Sequence, residues 1–246
     1  MKNNRKAIIL FMIGLLIIGA AAINKELRSN EKIAWFIGPY KDALIAKDFK
    51  DGAACISFYE GVDEDGKPVF THTYFSVGGK EINKEEFEKL SKTEPLKETE
   101  IPNLAEYDII FDFQEGYAVA VKDNGSIVNQ KHYFINENGE AAFGTGFDFA
   151  YSFSDGLAVV QFVEDQGKWS VIDSNGEIVL QTPYEIKPFS EGLAPFFNRN
   201  KQKWGYIDIN GDKVIPEMFE DAGCFQEGLA AVKSKEGWGY IKNPLI

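Results

Sequence analysis

Cysteine and histidine, on which many metal sites and nucleophilic enzymes depend, are scarce: each occurs twice in 246 residues. Cys55 and Cys224 lie far apart and belong to no zinc-ligand spacing. In an oxidising compartment they could pair; otherwise they are two small buried apolar residues. No Gly-rich phosphate loop and no G-x-S-x-G motif occurs. We therefore predict no catalytic, cofactor or metal site.

Basic residues are outnumbered, with 26 Lys and Arg against 38 Asp and Glu and a net charge of −12. A surface this acidic repels phosphate backbones, which excludes nucleic acid as the expected partner. The overall composition, 44% hydrophobic and 26% charged, is that of a globular domain. An aromatic share of 14% with 23 glycines favours short strands and tight turns over helices.

One apolar run stands out near the N-terminus, from Ala7 to Ile23, after three basic residues. Its 17 residues are long for a signal-peptide core and short for a membrane span. Ala20-Ala21-Ala22 favours a removed signal peptide, whereas the length favours a retained anchor, and both alternatives stay open. Either one exports the rest of the chain. We expect residues 1–32 to be this signal or anchor plus a linker, and residues 33–246 to be a periplasmic, cell-surface or secreted domain, tethered to the inner membrane if 7–23 is retained.

A Phe-x-acid-Gly phrase recurs five times along the chain. Three copies continue with Leu-Ala, and their central glycines are Gly156, Gly192 and Gly228; two weaker copies contain Gly52 and Gly116. The glycines advance by 64, 40, 36 and 36 residues. Such a period is the mark of a repeat architecture, and the long first interval contains an insertion.

A tryptophan follows each of the three strong phrases, at Trp169, Trp204 and Trp238. We call this the Trp position; His72 and His132 occupy it in the two weaker copies. The recurrence predicts a packing role, in which burying each ring contributes about 3 kcal/mol. The alternative is a row of exposed rings that binds glycans.

Within one copy, Leu193–Phe197 and Trp204–Asp208 are strand-like and should form an antiparallel hairpin. Asn210-Gly211 is typical of a tight primed turn with two positive-φ residues, returning the chain along Lys213–Ile215. Each unit is thus predicted to be a three-stranded meander. Because so small a sheet cannot bury its apolar face alone, neighbouring units must pack together.

These phrases resemble the WG, or KWG, repeat proteins of bacteria, whose unit joins Phe-x-Glu-Gly-Leu-Ala to Lys-Trp-Gly-Tyr-Ile-Asp and Asn-Gly. The resemblance covers residues 107–246 well and 40–82 loosely. It implies a β-repeat domain, often exported, with no general catalytic assignment.

The predicted fold is all-β, with about five three-stranded units in a closed propeller-like ring. The last copy ends at Ile241 without a third strand, whereas residues 33–40 look like a third strand without the first two. We therefore expect 33–40 to complete the fifth unit; an open β-solenoid is the alternative. The insertion, 83–106, should begin as a short helix with Asn83 as N-cap and Glu86 completing a capping box. It is a lid, a partner-docking element or a plain loop excursion.

Several side chains could carry chemistry. The phrase acids are Asp51, Glu115, Asp155, Glu191 and Glu227. Because they are periodic, we interpret them as structural groups in turn hydrogen bonds; the alternative is a pair of carboxylates that hydrolyses glycosides at one end of the ring. His72 and His132 could form a metal pair, but packing explains them more simply. The runs at 208–212 and 63–66 resemble calcium loops without the full spacing, and we interpret them as hairpin turns.

The sequence therefore predicts a non-catalytic binding module for a protein or envelope component, acting through a loop-decorated face. A glycan-binding module or glycoside hydrolase is the alternative, and a structural spacer a third. The ligand is not predictable from the residues.

Overall fold

A computed structural model describes residues 35–65, 67–90, 106–122, 130–162 and 168–246. These residues form five four-stranded antiparallel sheets and one short helix, which confirms the all-β prediction with a helical insertion. The apolar run 7–23 and the polar end of the insertion lie outside the described residues. In the described part of the chain, no helix is long and apolar enough to cross a membrane.

The sheets follow one another along the chain. A first strand, β1 (Ile37–Tyr40), precedes the first sheet, which contains β2 (Ala43–Ala46), β3 (Ala53–Val62), β4 (Pro68–Ser76) and β5 (Glu81–Ile82), and helix α1 (Lys84–Leu90) follows it. The second sheet contains β6 (Ile109–Ile110), β7 (Ala118–Lys122), β8 (Lys131–Ile135) and β9 (Ala141–Phe147). The third contains β10 (Phe149–Ala150), β11 (Leu157–Gln161), β12 (Trp169–Asp173) and β13 (Ile178–Thr182). The fourth contains β14 (Glu185–Ile186), β15 (Ala194–Asn198), β16 (Lys203–Ile207) and β17 (Lys213–Phe219), and the fifth contains β18 (Asp221–Ala222), β19 (Leu229–Ser234) and β20 (Gly237–Lys242).

Each unit has four strands, one more than predicted. The additional strand is the short one that precedes each phrase, such as β18, in which Asp221 and Ala222 pair with Lys233 and Val232. Two residues are too few to show a strand periodicity in the sequence. They form a strand because the adjacent phrase strand offers a free edge and because Ala222 is fully buried there.

The fourth strand of the fifth sheet is β1, from the other end of the described chain. Ile37 pairs with Tyr240 and Tyr40 with Trp238, and the N–H of Phe36 donates to the carbonyl of Tyr240 at 2.8 Å. Gly239 permits this close pairing, because a Cβ there would collide with the carbonyl oxygen of Ile37. The prediction that residues 33–40 complete the fifth unit is confirmed by this strand.

The Asn-Gly turns differ from the primed turns that we predicted. At 208–212 only Gly211 has a positive φ, of +80°, and its N–H donates to the carbonyl of Asp208 at 3.0 Å. The Asp208 carboxylate accepts the N–H groups of Asn210 and Asp212, each at 2.9 Å. This is the pattern of a type I turn closed by a left-handed glycine. The carboxylate is engaged by the turn, which confirms the hairpin interpretation over a calcium loop.

The apolar cores lie between neighbouring sheets. Successive residues of a strand face opposite sides, so Val160 packs toward the second sheet and Val159 toward the fourth. Clusters of this kind join the second to the third sheet, the third to the fourth, the fourth to the fifth and the fifth to the first. Each sheet is therefore stable only as part of the array.

Candidate functional site

The phrase acids form bonds between units. All five adopt a left-handed conformation with φ between 53° and 57°. In four of them the carboxylate accepts the N–H of the phrase glycine in the neighbouring unit, and we call this contact the acid–glycine latch. The four latches are Glu115 to Gly156 at 2.9 Å, Asp155 to Gly192 at 3.1 Å, Glu191 to Gly228 at 3.0 Å and Glu227 to Gly52 at 2.7 Å.

The latches confirm a structural role for the periodic acids, although the bond crosses to the next unit rather than closing the acid's own turn. Among the described residues, Asp51 makes no such bond to Gly116, so the junction of the first and second sheets lacks a latch. A carboxylate held by a backbone N–H in each of four equivalent places is not a singular catalytic acid. The hydrolase alternative therefore loses its proposed carboxylate pair.

The tryptophans pack inside the array. Trp169 is 8% exposed and Trp238 is 7% exposed, whereas Trp204 is half-buried. The indole N–H of Trp238 donates to the carbonyl of Leu44 in the first sheet at 3.1 Å. Lys187 lies 4.4 Å above the ring of Trp204. The packing interpretation is confirmed, and these rings do not form an exposed glycan platform.

The two histidines differ in their surroundings. His132 is half-buried, 5.5 Å from the ring of Phe149, and burial lowers its pKa. His72 is exposed, and its Nδ1 is hydrogen-bonded to the hydroxyl of Ser57 at 2.9 Å. The packing prediction holds for His132 but not for His72. In the part of the chain that the structure describes, no group of three or more His, Cys, Asp and Glu residues could hold a metal ion.

Both cysteines are free thiols. Cys55 is buried in β3, and burial raises its pKa. Cys224 is half-buried, its Sγ lies 3.4 Å from the carbonyl oxygen of Pro188, and burial raises its pKa to about 12. Thiols with raised pKa values are poor nucleophiles at neutral pH. They correspond to the small buried apolar residues of the sequence interpretation, with no disulfide between them.

A perturbed carboxylate lies where the fifth and first sheets meet. Burial raises the pKa of Asp48 to about 6, against the opposing effect of Lys187 and a hydrogen bond from the backbone of Ala231. Gly223 leaves room for it, since a Cβ there would collide with the Asp48 carboxylate. Perturbed carboxylates often mark functional sites. The neighbouring thiol of Cys224 is protonated at neutral pH, so this cluster offers no base–nucleophile pair.

The first sheet departs from the others by an elongated hairpin. His72 pairs with Ser57, five residues after the phrase glycine, and Trp169 pairs with Gln161 at the same distance from its own glycine. In the third sheet the strands end at this pair, whereas β3 and β4 run on to Val62 and Pro68. We call residues 58–71 the extension. Sequence reasoning missed it, although the separation of 20 positions from Gly52 to His72, against 13 from Gly156 to Trp169, is a usable signal.

Aromatic rings line one face of the first sheet and continue onto the extension. From α1 outward, the ring centroids are 4.6 Å apart for Phe87 and Tyr74, 6.1 Å for Tyr74 and His72, and 5.8 Å for Phe70 and Tyr59. We call these five side chains the aromatic stripe. Tyr59 and Phe70, a cross-strand pair, are 52% and 42% exposed. Exposed neighbouring aromatics on one face are a feature of binding surfaces.

The stripe lies on the face of the first sheet that is turned away from the fifth. Ala54, Ile56 and Phe75 belong to the core shared with the fifth sheet. Their immediate neighbours in each strand, such as Tyr74, therefore face the other side of the first sheet. Helix α1 packs on this second face through Phe87 and Tyr74. Helix α1 therefore covers the Tyr74 end of the stripe, whereas Tyr59 and Phe70 are exposed at the other end.

The surroundings of the stripe are acidic. Between residues 60 and 90 there are eight Asp and Glu residues and four Lys residues. At the hairpin tip, the Asp63 carboxylate accepts the N–H groups of Asp65 and Lys67 at 3.0 and 2.8 Å. Glu64 and Asp65 are exposed beside it. The surface combines an apolar stripe with a negative rim.

A shallow pocket of about 440 Å³ lies at the junction of the fifth and first sheets. Its lining includes Phe36, Val77, Leu229 and Lys242. The Lys242 ammonium lies 4.2 Å from the centre of the Phe36 ring. The buried Asn243 also lines the pocket, but its amide donates to the carbonyl of Glu191 and its side-chain oxygen accepts the N–H of Leu245. The pocket is open to solvent and its buried amide is already hydrogen-bonded, so the stripe is the stronger candidate.

The model of the WG containing repeat matches residues 105–125, 134–164, 169–201 and 204–238. A search of the curated proteins found no match.

Among solved structures, KlHsv2 with loop 6CD replaced by a Gly-Ser linker is 11% identical, with 80% of this chain and 61% of that chain covered and a TM-score of 0.39. Kluyveromyces marxianus Hsv2 is 9% identical, with 82% and 59% covered and a TM-score of 0.38. Kluyveromyces lactis Hsv2 with the complete loop 6CD is 9% identical, with 78% and 70% covered and a TM-score of 0.38. The chain spans about three fifths of the length of the first two. Similarity at this level supports no inference about function.

Proposed function

Because the chain belongs to the WG-repeat family, we propose that it is an exported, non-catalytic repeat domain that binds a protein or envelope component through the aromatic stripe. The observation that carries this proposal is the exposed pair Tyr59 and Phe70, whose rings lie 5.8 Å apart on the extension, where β3 and β4 continue past the pair of Ser57 with His72. Rigid aromatic side chains supply contact area at a low cost in conformational entropy. A partner that covers them would desolvate the two rings together.

A glycan is the second candidate ligand. His72 is an exposed polar side chain on the same face as the exposed rings. On the other face of the hairpin, the Thr71 hydroxyl donates to Glu60 at 2.8 Å. Exposed rings that stack on sugar faces, with polar side chains close by, are the chemistry that glycan recognition uses. The buried tryptophans no longer support this candidate, so it depends on the stripe alone.

The test is to use the purified full chain as bait against solubilised envelope from the source cells and to analyse captured proteins and glycans separately. A Tyr59→Ser, Phe70→Ser double variant should lose the ligand while its melting temperature stays within a few degrees of the wild type. Ile178→Ser with Val179→Ser is the matched control, because these side chains are 50% and 45% exposed on the third sheet. Retention by the first variant, or equal loss in the control, contradicts the proposal. Displacement by free sugar identifies the glycan candidate.

We also propose that the five sheets close into a propeller-like ring. The proposal is supported by the four latches, by the shared cores at the same four junctions and by β1 in the fifth sheet. Spin labels at Lys50 and Gln226 flank a latched junction, and labels at Lys50 and Gln114 flank the junction without a latch. In a chain whose native cysteines are replaced, similar distances for both pairs indicate closure. A much longer Lys50–Gln114 distance indicates an open array.

Export of the domain is a proposal from the run Ala7–Ile23. Mass spectrometry of the protein purified from its source cells distinguishes the two open alternatives. A mature N-terminus just after Ala22 indicates a removed signal peptide, and an intact apolar segment in the membrane fraction indicates an anchor. Recovery of the intact chain from the cytoplasmic fraction contradicts export.

A further inference from the structure

Within the part of the chain that the structure describes, the outer edge of β4 has no strand partner over most of its length. In the third sheet the outer strand reaches the Trp position, where Trp169 pairs with Thr182. In the first sheet β5 pairs only with Tyr74 and Phe75, which leaves the outer edge open from Pro68 to Thr73 among the described residues. An open strand edge presents unpaired N–H and C=O groups in register.

The ladder identifies which backbone groups face outward. The N–H of Val77 donates to the carbonyl of Gly52, so this pair is a hydrogen-bonded one in the antiparallel ladder of β3 and β4. Hydrogen-bonded and non-hydrogen-bonded pairs alternate, so Phe70 and His72 direct their N–H and C=O groups away from β3. Across the bulge, the bond from the N–H of Asp63 to Lys67 places Pro68 outward as well. Proline has no N–H to leave unpaired, which suits the open edge.

The side chains along this edge define the partner's chemistry. Phe70 and His72 are exposed members of the aromatic stripe, and Val69 on the opposite face is 39% exposed. Thus both faces of the edge offer apolar surface to the alternating side chains of an added strand. The local excess of acidic residues, eight against four between 60 and 90, favours a positively charged occupant. A second copy of this chain, with its net charge of −12, is disfavoured.

We propose that the outer edge of β4 binds an extended, basic segment of a protein partner, which adds to the first sheet as a further strand. This inference rests on the proposed binding function and names the partner class. Main-chain hydrogen bonds to Phe70 and His72 hold the segment, and the stripe and the acidic rim select its side chains.

The experiment uses the full chain, isotopically labelled, and two blocked heptapeptides. One has the sequence Lys-Val-Thr-Val-Lys-Val-Lys, and the other has Glu in place of each Lys. The basic peptide should bind at least tenfold more tightly, weaken as salt is added and shift the amide resonances of Phe70 and His72. Equal binding of both peptides, or resonance shifts confined to other strands, overturns the proposal. This test uses the wild-type chain alone, so it does not depend on whether a variant folds.

Two substitutions at one residue then separate the backbone from the ring. His72→Ala removes the imidazole and keeps the outward N–H, whereas His72→Pro removes both. Binding of the basic peptide should fall at least tenfold in His72→Pro relative to His72→Ala, with similar melting curves for the two. Equal binding shows that the backbone edge is not used.

The outcomes distinguish this inference from the proposed function. If capture depends on Tyr59 and Phe70 but not on the His72 backbone, the partner lies on the face and only the edge proposal fails. If capture depends on neither, the proposed function fails as well. If the dependent ligand is a glycan, the protein-segment inference is wrong while the binding surface stands.

Discussion

Replacing Glu191 tests whether the latches hold the units together. Both carboxylate oxygens of Glu191 lie 3.0 Å from the N–H nitrogen of Gly228 in the next unit. A hydrogen bond to a charged group contributes about 1.5–3 kcal/mol, and its loss leaves the glycine N–H without that partner. Glu191→Ala should therefore lower the free energy of unfolding by about 1.5–3 kcal/mol. Urea denaturation followed by the fluorescence of the buried tryptophans measures it.

Two further variants separate the bond from the backbone conformation. Glu191 has a φ of 54°, which costs alanine about 1–2 kcal/mol and glycine almost nothing. After the greater unfolded-state entropy of glycine is included, Glu191→Gly should be about 0.5–1 kcal/mol more stable than Glu191→Ala. Gln226→Ala, an exposed substitution in the next phrase, should change stability by less than about 0.5 kcal/mol. A Glu191→Ala loss no larger than that of Gln226→Ala would refute the latch as a stabilising contact.

Three other perturbations have defined outcomes. Trp238→Ala should cost about 3–5 kcal/mol in urea denaturation and Trp204→Ala less, because Trp238 is 7% exposed and Trp204 is half-buried; the reverse order contradicts the packing role. Burial raises the pKa of Asp48 to about 6, so ionisation of this carboxyl lowers the free energy of unfolding as the pH rises from about 4 to 6. Asp48→Asn should therefore raise the free energy of unfolding by on the order of 2 kcal/mol at pH 8 and leave it unchanged at pH 4, as measured by the melting temperature at the two pH values. Burial acts to raise the pKa of Glu217, but hydrogen bonds from Lys213 and other donors outweigh it and hold the pKa at about 2. The stability that this provides is complete above about pH 4.5 and is lost as the pH falls through 2. Glu217→Gln should therefore be less stable than the wild type by on the order of 1–2 kcal/mol at pH 7, and this difference should shrink to less than about 0.5 kcal/mol at pH 2.

The repeat was predictable because its local signals and its packing agree. From Gly116 onward the phrase glycines advance by 40, 36 and 36 residues, and four of the five phrase glycines, Gly192 among them, are held by the acid of a neighbouring unit. The same logic predicted that the unpaired strand near Ile37 completes the sheet of Tyr240. The periodicity of the acids likewise indicated a structural role before the latches were seen.

The remaining features depend on contacts that a single unit does not contain. The target of Glu191 is a backbone N–H 37 residues away, which no local motif encodes. The turn at Gly211 was mispredicted because the side chain of Asp208 stabilises a type I turn that Asn-Gly alone does not specify. The extension was missed because the long interval after Gly52 was assigned to the insertion at 83–106, whereas part of it lengthens the hairpin before His72.

The pairing of β1 with β20 sets the order of assembly. Ile37 finds its partner, Tyr240, only after some 200 further residues have been synthesised, whereas the strands of the third and fourth sheets pair within a few tens of residues. Contacts so distant in sequence form late because loop closure must come first. The fifth sheet is therefore the last to be completed, and a ribosome-bound chain still lacks it. The core shared by the fifth and first sheets and the latch from Glu227 to Gly52 are complete only after β20 has emerged.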